Sequence, residues 1–230
     1  MDNAIAIVTK ITNSQKRKSL FHFTRVRNLP SIAHVDALYS SIEADPAFAN
    51  EGRATRKEIQ LHGRSFVANA HLRIAAQAMD PNTTAQQFFQ YLDRHVFLWP
   101  TRRSCLKMLE MYARREPGEA FAVLQLDARS LLLDFYDRIK LSKYDSGSSP
   151  RFPGRTTYKK SLAMFLPLER FETVQQFQVP SKPSEILEVL VENKVTHLSR
   201  YLQAVYCEQV ADIPGDWREF GLPLQQFMEQ

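Results

Sequence analysis

The chain has 230 residues and a mass of 26.6 kDa, and its 44% hydrophobic and 24% charged residues are ordinary usage for a globular protein. Disorder and collagen-like structure are excluded, and charge-free stretches such as 4–9 and 96–101 fall far short of the roughly 18 apolar residues a spanning helix needs. The net charge of +5 is polarised, with +5 in residues 1–30 and −4 in the last 23, a pattern that fits a polyanion at one end or simply solvated surface lysines.

In chain order, the first strand signal is the apolar run Ser19–Thr24 (SLFHFT). After Asn28 the spacing predicts a helix with Pro30 in its first turn and Ile32, Val35, Leu38 and Tyr39 on one face. Thr84 caps a second helix, with Ala85, Phe88, Phe89 and Leu92 at i, i+3, i+4 and i+7. A strand follows at His95–Trp99, then a helix capped by Thr101 whose Cys105, Leu106, Leu109 and Tyr112 face inward. Ala120–Leu126, Ser161–Leu166 and Ile186–Val191 read as further strands, and Thr196 precedes a fourth helix carrying Leu198, Tyr201, Leu202 and Val205. Loop signals cluster at Tyr144–Thr157 and Val179–Ser184, too close together to separate two cores. One domain is expected. Strands and helices do not alternate strictly, so the expected class is α+β rather than a doubly wound sheet.

Several chemistries are excluded. Seven glycines, none in a G-x-G-x-x-G or G-x-x-x-x-G-K-[ST] run, argue against Rossmann and P-loop nucleotide binding. Cys105 and Cys207 cannot by themselves make a disulfide framework or a zinc site, and Cys105 on an apolar helical face is a poor nucleophile. No H-E-x-x-H, nucleophile elbow or aspartate pair of two-metal spacing occurs, so no metal is expected. The apolar run Ala4–Val8 is too brief for the h-region of a signal peptide; a cytoplasmic protein without membrane contact is expected.

Two polar residues interrupt apolar strands. In Ile186–Val191, Glu188 has Ile186 and Leu190 on its own face, so its carboxylate faces a cleft, a charge partner or an edge open to water. In the first strand, His22 and Thr24 share a face opposite Phe21 and Phe23. A strand histidine is most often a packing residue, yet its two ring nitrogens suit ribose hydroxyls, one donating and one accepting.

Read together, these segments are similar to a known family. Ser19-Leu20-Phe21-His22-Phe23-Thr24, followed by Asn28-Leu29-Pro30-Ser31-Ile32 and Leu38-Tyr39-Ser40-Ser41, resembles the opening of DarT-type ADP-ribosyltransferases, with their L-Y-H-x-T strand, N-L-P-S-I-L helix and L-x-S turn. Val96-Phe97-Leu98-Trp99-Pro100 with Arg102, Ser104 and Met108 resembles that family's strand and P-R-S-x-M segment. Leu187-Glu188-Val189-Leu190-Val191 with Val195 resembles its A-E-x-L-V strand, which carries the catalytic glutamate. The three blocks stand in family order across residues 19–206.

The resemblance implies a single domain with a split mixed sheet, flanking helices and a flexible substrate loop at about 144–160; the helix-rich stretch at about 64–94 departs from the family pattern and is expected to be a helical insertion. It implies a pentosyl transfer in which ADP-ribose passes from NAD, the co-substrate, to a base of single-stranded DNA or RNA, without a metal. Glu188 would be the catalytic carboxylate, with either Arg53 or Arg56 as the supporting arginine. His22, Thr24, Phe97, Trp99 and Arg102 would contact NAD, although Phe97 also fits core packing. Arg151, Arg155, Lys159 and Lys160, interleaved with Phe152 and Tyr158, would grip the nucleic acid. A toxin or phage-defence role with an antitoxin partner follows from the same resemblance. The alternatives from other classes are a non-catalytic basic nucleic-acid-binding module and a transferase acting on protein.

Overall fold

The computed structural model describes residues 2–49, 52–150, 152, 154 and 156–229. Its strands are β1 (Ser19–Arg25), β2 (Ala37–Tyr39), β3 (Lys57–Leu61), β4 (Arg64–Ala68), β5 (His95–Leu98) and β6 (Phe121–Asp127). They continue with β7 (Ile139–Ser142), β8 (Phe165–Pro167), β9 (Glu188–Glu192), β10 (Lys194–Thr196), β11 (Leu202–Cys207) and β12 (Gly221–Pro223). The α-helices are α1 (Asp2–Thr12), α2 (Leu29–Val35), α3 (Ser41–Ala44), α4 (Ala85–Asp93), α5 (Arg102–Arg115), α6 (Ala128–Asp134) and α7 (Leu224–Glu229).

Two four-stranded sheets form the body, one in the order β1-β6-β11-β12 and the other β5-β9-β7-β8. Within them only β11 and β12 run parallel. The expected α+β fold, a split mixed sheet with flanking helices, is the one found. Period-two alternation divides each strand between two cores. Leu20, Ala122, Leu124 and Leu126 of the first sheet meet Val96, Leu98, Val189, Val191, Ile139 and Leu141 of the second in one large cluster, closed by α1 and α6. On the opposite face of the first sheet Phe21, Phe23 and Val123 pack on α5 and α7. On the opposite face of the second, Leu190 packs on Phe88 and Leu92 of α4.

The sheets touch where β1 meets the end of β5. Phe21 and Trp99 exchange backbone bonds, N–H to O at 2.9 and 2.8 Å. The regular ladder ends there, and the side chain of His22 reaches across the opening to the carbonyl of Phe97 at 2.9 Å. Where two sheets part, their strand edges form the walls of a cleft.

Helix capping follows the sequence closely. Thr84 and Gln87 make a reciprocal capping box at α4, and Thr101 accepts from the Ser104 backbone N–H at 3.2 Å at α5. Four expectations need correction. The helix after Asn28 ends at Val35, because Asp36 turns left-handed at φ 48° and its carboxylate accepts from the Ser199 backbone and hydroxyl; Leu38 and Tyr39 instead pair with Val195 and Lys194. The helix after Thr196 is a short 3₁₀ turn followed by β11. A bulge between Leu202 and Ala204 turns Leu202 and Val205 toward one core while Ala204 and Tyr206 face the other, so a strand presents helix-like spacing. In Ser161–Leu166 only Phe165 and Leu166 are strand; Leu162–Met164 is a 3₁₀ turn. The stretch 64–94 opens on the β3–β4 hairpin, whose His62 and Gly63 both take positive φ as a two-residue turn requires, and α4 is its one α-helix among the described residues.

Candidate functional site

A cavity of about 260 Å³ lies in the cleft between the sheets and collects Glu188, Arg53, His22, Thr24, Phe97 and Trp99 on its walls. That volume falls just below the roughly 300–1,000 Å³ of ligand clefts. The six come from β1, β5 and the residue that follows it, β9 and the segment before β3, so the tertiary fold and not local sequence brings them together.

Glu188 opens β9 opposite Ser142 of β7, on the face shared by Leu190. Its side chain is buried, at 2% exposure. Both carboxylate oxygens are held by the turn that follows β7: the Ser146 backbone N–H donates at 3.1 and 3.3 Å, and the Ser146 hydroxyl donates to Oε2 at 2.6 Å. The turn is itself braced, since the Asp145 carboxylate accepts from the Ser148 N–H and hydroxyl. Burial first, and the nearby Asp145 charge second, push the Glu188 carboxyl up to about 8; the Ser146 bonds and the Lys160 charge oppose this. The carboxyl thus holds its proton far more tightly than an exposed glutamate does and titrates within reach of neutral pH.

His22 is half-buried. Its Nδ1–H donates to the Phe97 carbonyl, which leaves Nε2 as a hydrogen-bond acceptor. Burial lowers its pKa, more than the Phe97 bond raises it, and keeps the ring neutral. Of the donating and accepting roles expected toward a ligand, only the accepting one remains. Thr24 is buried, its hydroxyl accepting from the Asn28 amide at 3.4 Å. Trp99 is packed against Phe23 at 5.2 Å between ring centroids, while Phe97 is partly buried between two cores.

The two arginines separate clearly. Arg53 is buried and pairs bidentately with Asp93, Nη1 to Oδ2 at 2.8 Å and Nη2 to Oδ1 at 2.6 Å. Its remaining contacts are the Asn69 carbonyl at 2.9 Å, the Ser41 hydroxyl at 3.1 Å and the ring of Phe48, 4.5 Å away. Asp93 also accepts from Nε2 of His71 at 2.8 Å; His71 Nδ1 accepts from the Arg53 backbone N–H, which fixes that tautomer, and the ring stacks on Phe89. Arg56 lies outside the cavity, 52% exposed, and pairs with Glu116 and Glu119.

Other expected contacts are elsewhere. The Arg102 guanidinium covers the Phe227 ring and donates to the carbonyls of Gln226 and Phe227, so it anchors α7 rather than lining the cavity. Lys160 is not a surface cation at all: it is fully buried, and its ammonium donates to the carbonyls of Asp145 and Ser146 at 2.6 and 2.8 Å. Lys159 is partly exposed and bonds the Gln77 carbonyl. Phe152 is 59% exposed, and Tyr158 stacks on Tyr144 at 3.7 Å. Arg151 and Arg155 lie outside the described residues. Most of the N-terminal excess of charge is tied up: Arg17 and Arg25 are buried, Arg25 pairs with Glu116 at 2.8 Å, Arg27 with Glu119 at 2.9 Å, and Lys10 with Glu172, while Lys16 and Lys18 are exposed.

Sequence reasoning missed Ser146, Asp93, His71, Arg25 and His95. Arg25 and His95 both line the cavity. Arg25 ends the same strand, three residues beyond His22 and two beyond Phe23, and its signal is a charge on the face that Phe21 and Phe23 make apolar. His95 is buried, with Nδ1 donating to the Tyr91 carbonyl at 2.7 Å and Nε2 without a hydrogen-bond partner among the described residues.

An α+β protein with a carboxylate, a neutral histidine and a neutralised arginine in a cleft between two sheets is the class that fold and site define. The chain belongs to the family DUF7002, a family of unknown function, whose model matches residues 18–202. No curated protein matches it. Among solved structures it is similar to DarT of Thermus sp. 2.9 in complex with carba-NAD+, 13% identical, covering 94% of this chain and 93% of that one with a TM-score of 0.43. It is likewise similar to the same protein in complex with NAD+, 13% identical over 93% and 91% of the two chains, TM-score 0.41. No helix among the described residues is long and apolar enough to cross a membrane.

Proposed function

We propose that the protein is an NAD-dependent ADP-ribosyltransferase that modifies a base of single-stranded DNA or RNA, as a toxin or defence effector restrained by an antitoxin. The observation that carries this reading is the placement of buried Glu188 in one cavity with His22, Thr24, Arg53, Phe97 and Trp99. These are residues that the resemblance to DarT-type enzymes assigns to NAD and to catalysis, and they are distant in sequence.

The chemistry suits the groups present. Cleaving the bond from nicotinamide to ribose passes through an oxocarbenium-like state, in which hydrogen bonds to the 2-hydroxyl strengthen. Glu188 in its ionised form accepts such a bond and takes the proton from the attacking base. A group poised near neutrality can do both. Neutral His22 accepts from a second ribose hydroxyl through Nε2. Arg53, neutralised by Asp93, bonds Ser41 and Asn69 in the cavity wall and is the arginine we assign to the site, since Arg56 lies outside the cavity. Phe152, an exposed aromatic on the loop before Lys159, would stack on a base.

The deciding experiment offers labelled NAD to separate pools of single-stranded DNA, RNA and protein. Label should enter a nucleic-acid pool and depend on Glu188. Label in no pool, or equal labelling by Glu188→Ala, would sink the catalytic reading, and label confined to protein would move the target class.

A further inference from the structure

We propose that Lys160 is a positioning residue for Glu188: its buried ammonium holds the Asp145-Ser146 turn, and with it the Ser146 donors, against the carboxylate. This rests on the reading of Glu188 as the working carboxylate.

A fully buried lysine is costly unless its charge is compensated. Here the compensation is unusual, because the ammonium donates to two backbone carbonyls, Asp145 O at 2.6 Å and Ser146 O at 2.8 Å, rather than to a carboxylate. Those carbonyls belong to the same turn whose Ser146 N–H and hydroxyl grip Glu188. Lys160 therefore binds one side of the turn while Glu188 binds the other. Its own backbone is fixed from a third direction, with N–H to Ala78 O at 2.7 Å and O from Asp80 N–H at 2.9 Å, forming a bridge to Met79. The ring of Phe88, 5.9 Å from the ammonium, closes the space beneath it. Of these contacts, the two made by the ammonium lead to the turn that grips Glu188, and the others fix Lys160 itself.

Among the described residues, the charged groups acting on Glu188 are Asp145, which raises its proton affinity, and Lys160, which lowers it. In turn Glu188 and Asp145 raise the Lys160 pKa against a larger lowering by burial. Tyr158, stacked on Tyr144, has its pKa raised by burial first and then by Asp145, Tyr144 and Glu188, and stays protonated. Without Lys160, Asp145 and burial act on Glu188 with only the Ser146 bonds opposing them.

The test is the ¹³C titration of the Glu188 carboxyl by NMR in the parent, Lys160→Met and Lys160→Gln, followed by the pH profile of NAD turnover in each. Loss of the charge should move the Glu188 midpoint upward by about one pH unit or more in both variants. The acidic limb of turnover should move with it, and turnover at neutral pH should fall about tenfold or more. Gln keeps a donor for one carbonyl and so preserves the turn better than Met; if Met fails to fold, Gln carries the measurement. An unchanged Glu188 midpoint in a folded variant overturns the proposal. A shifted midpoint in a protein whose parent turns over no NAD upholds the Lys160–Glu188 coupling while removing the function proposed above.

Discussion

The cavity has two charged walls that handle buried charge in opposite ways. On one, Arg53 and Asp93 meet directly in a two-bond pair, with His71, Ser41 and Asn69 completing their hydrogen bonds. On the other, Glu188 and Lys160 are both buried, yet each bonds the Asp145-Ser146 turn instead of its opposite charge. Directly paired charge is inert and rigid. Charge held at one remove keeps a proton within reach of neutral pH, which is where chemistry needs it.

Substitutions at each wall would break or sharpen that contrast. The largest effect is expected from Glu188→Gln, which should lower transfer from labelled NAD by about 10²–10⁴-fold while leaving the melting temperature at neutral pH unchanged or higher, since a strained carboxyl is removed. Asp93→Ala should do the reverse. Stranding the Arg53 charge in the interior costs about 3–5 kcal/mol in urea unfolding, and replacing both partners by apolar residues, Arg53→Met with Asp93→Leu, should recover most of it. A double variant as unstable as the single would show that the wall needs the ion pair itself.

The next effect is in pH dependence. The Glu188 carboxyl has a folded pKa of about 8 against an ordinary 4.5, so it binds its proton more tightly when folded. Its contribution to stability is complete below about 4.5 and is lost as pH rises through about 8. His22 and His95, both lowered by burial, act in the opposite sense, stabilising above their ordinary range and losing that contribution as pH falls. Comparing the parent with Glu188→Gln cancels the histidines. Between pH 5 and pH 8 the parent should lose on the order of 1–3 kcal/mol relative to the variant, and parallel curves would show that Glu188 is not strained. The smallest effect belongs to Arg56→Ala. Its half-exposed pairs with Glu116 and Glu119 are worth about 0–1 kcal/mol in water, and transfer activity should hold within about twofold, whereas a large loss would return Arg56 to the site.

The legible parts of the site were the ones where burial and polarity conflict inside a single strand. Glu188 between Ile186 and Leu190, and His22 among Leu20, Phe21 and Phe23, are anomalies that period-two alternation exposes without any tertiary knowledge. Lys160 was misread because a lysine beside Lys159 in a loop rich in serine and glycine looks solvated. What buries it is the bridge to Met79, some 80 residues earlier. Arg53 and Arg56 are three residues apart in one polar segment, and only the arrival of Asp93 at the end of α4 distinguishes them. The helix read after Thr196 failed for a local reason as well, because a bulge in β11 imitates helical spacing.

What the linear order of residues determined was therefore the capping of α4 and α5, the paths of β1, β5, β6 and most of β9, and the two polar residues those strands could not hide. Each depends on neighbours within a few positions. Which arginine faces the cavity, which lysine is buried, and the coupling of Glu188 to a turn some 40 residues before it were decided by the parting of the two sheets beyond Phe21 and Trp99. Burial and charge pairing are properties of that space, and a residue's partners there come from distant segments whose approach no local pattern encodes.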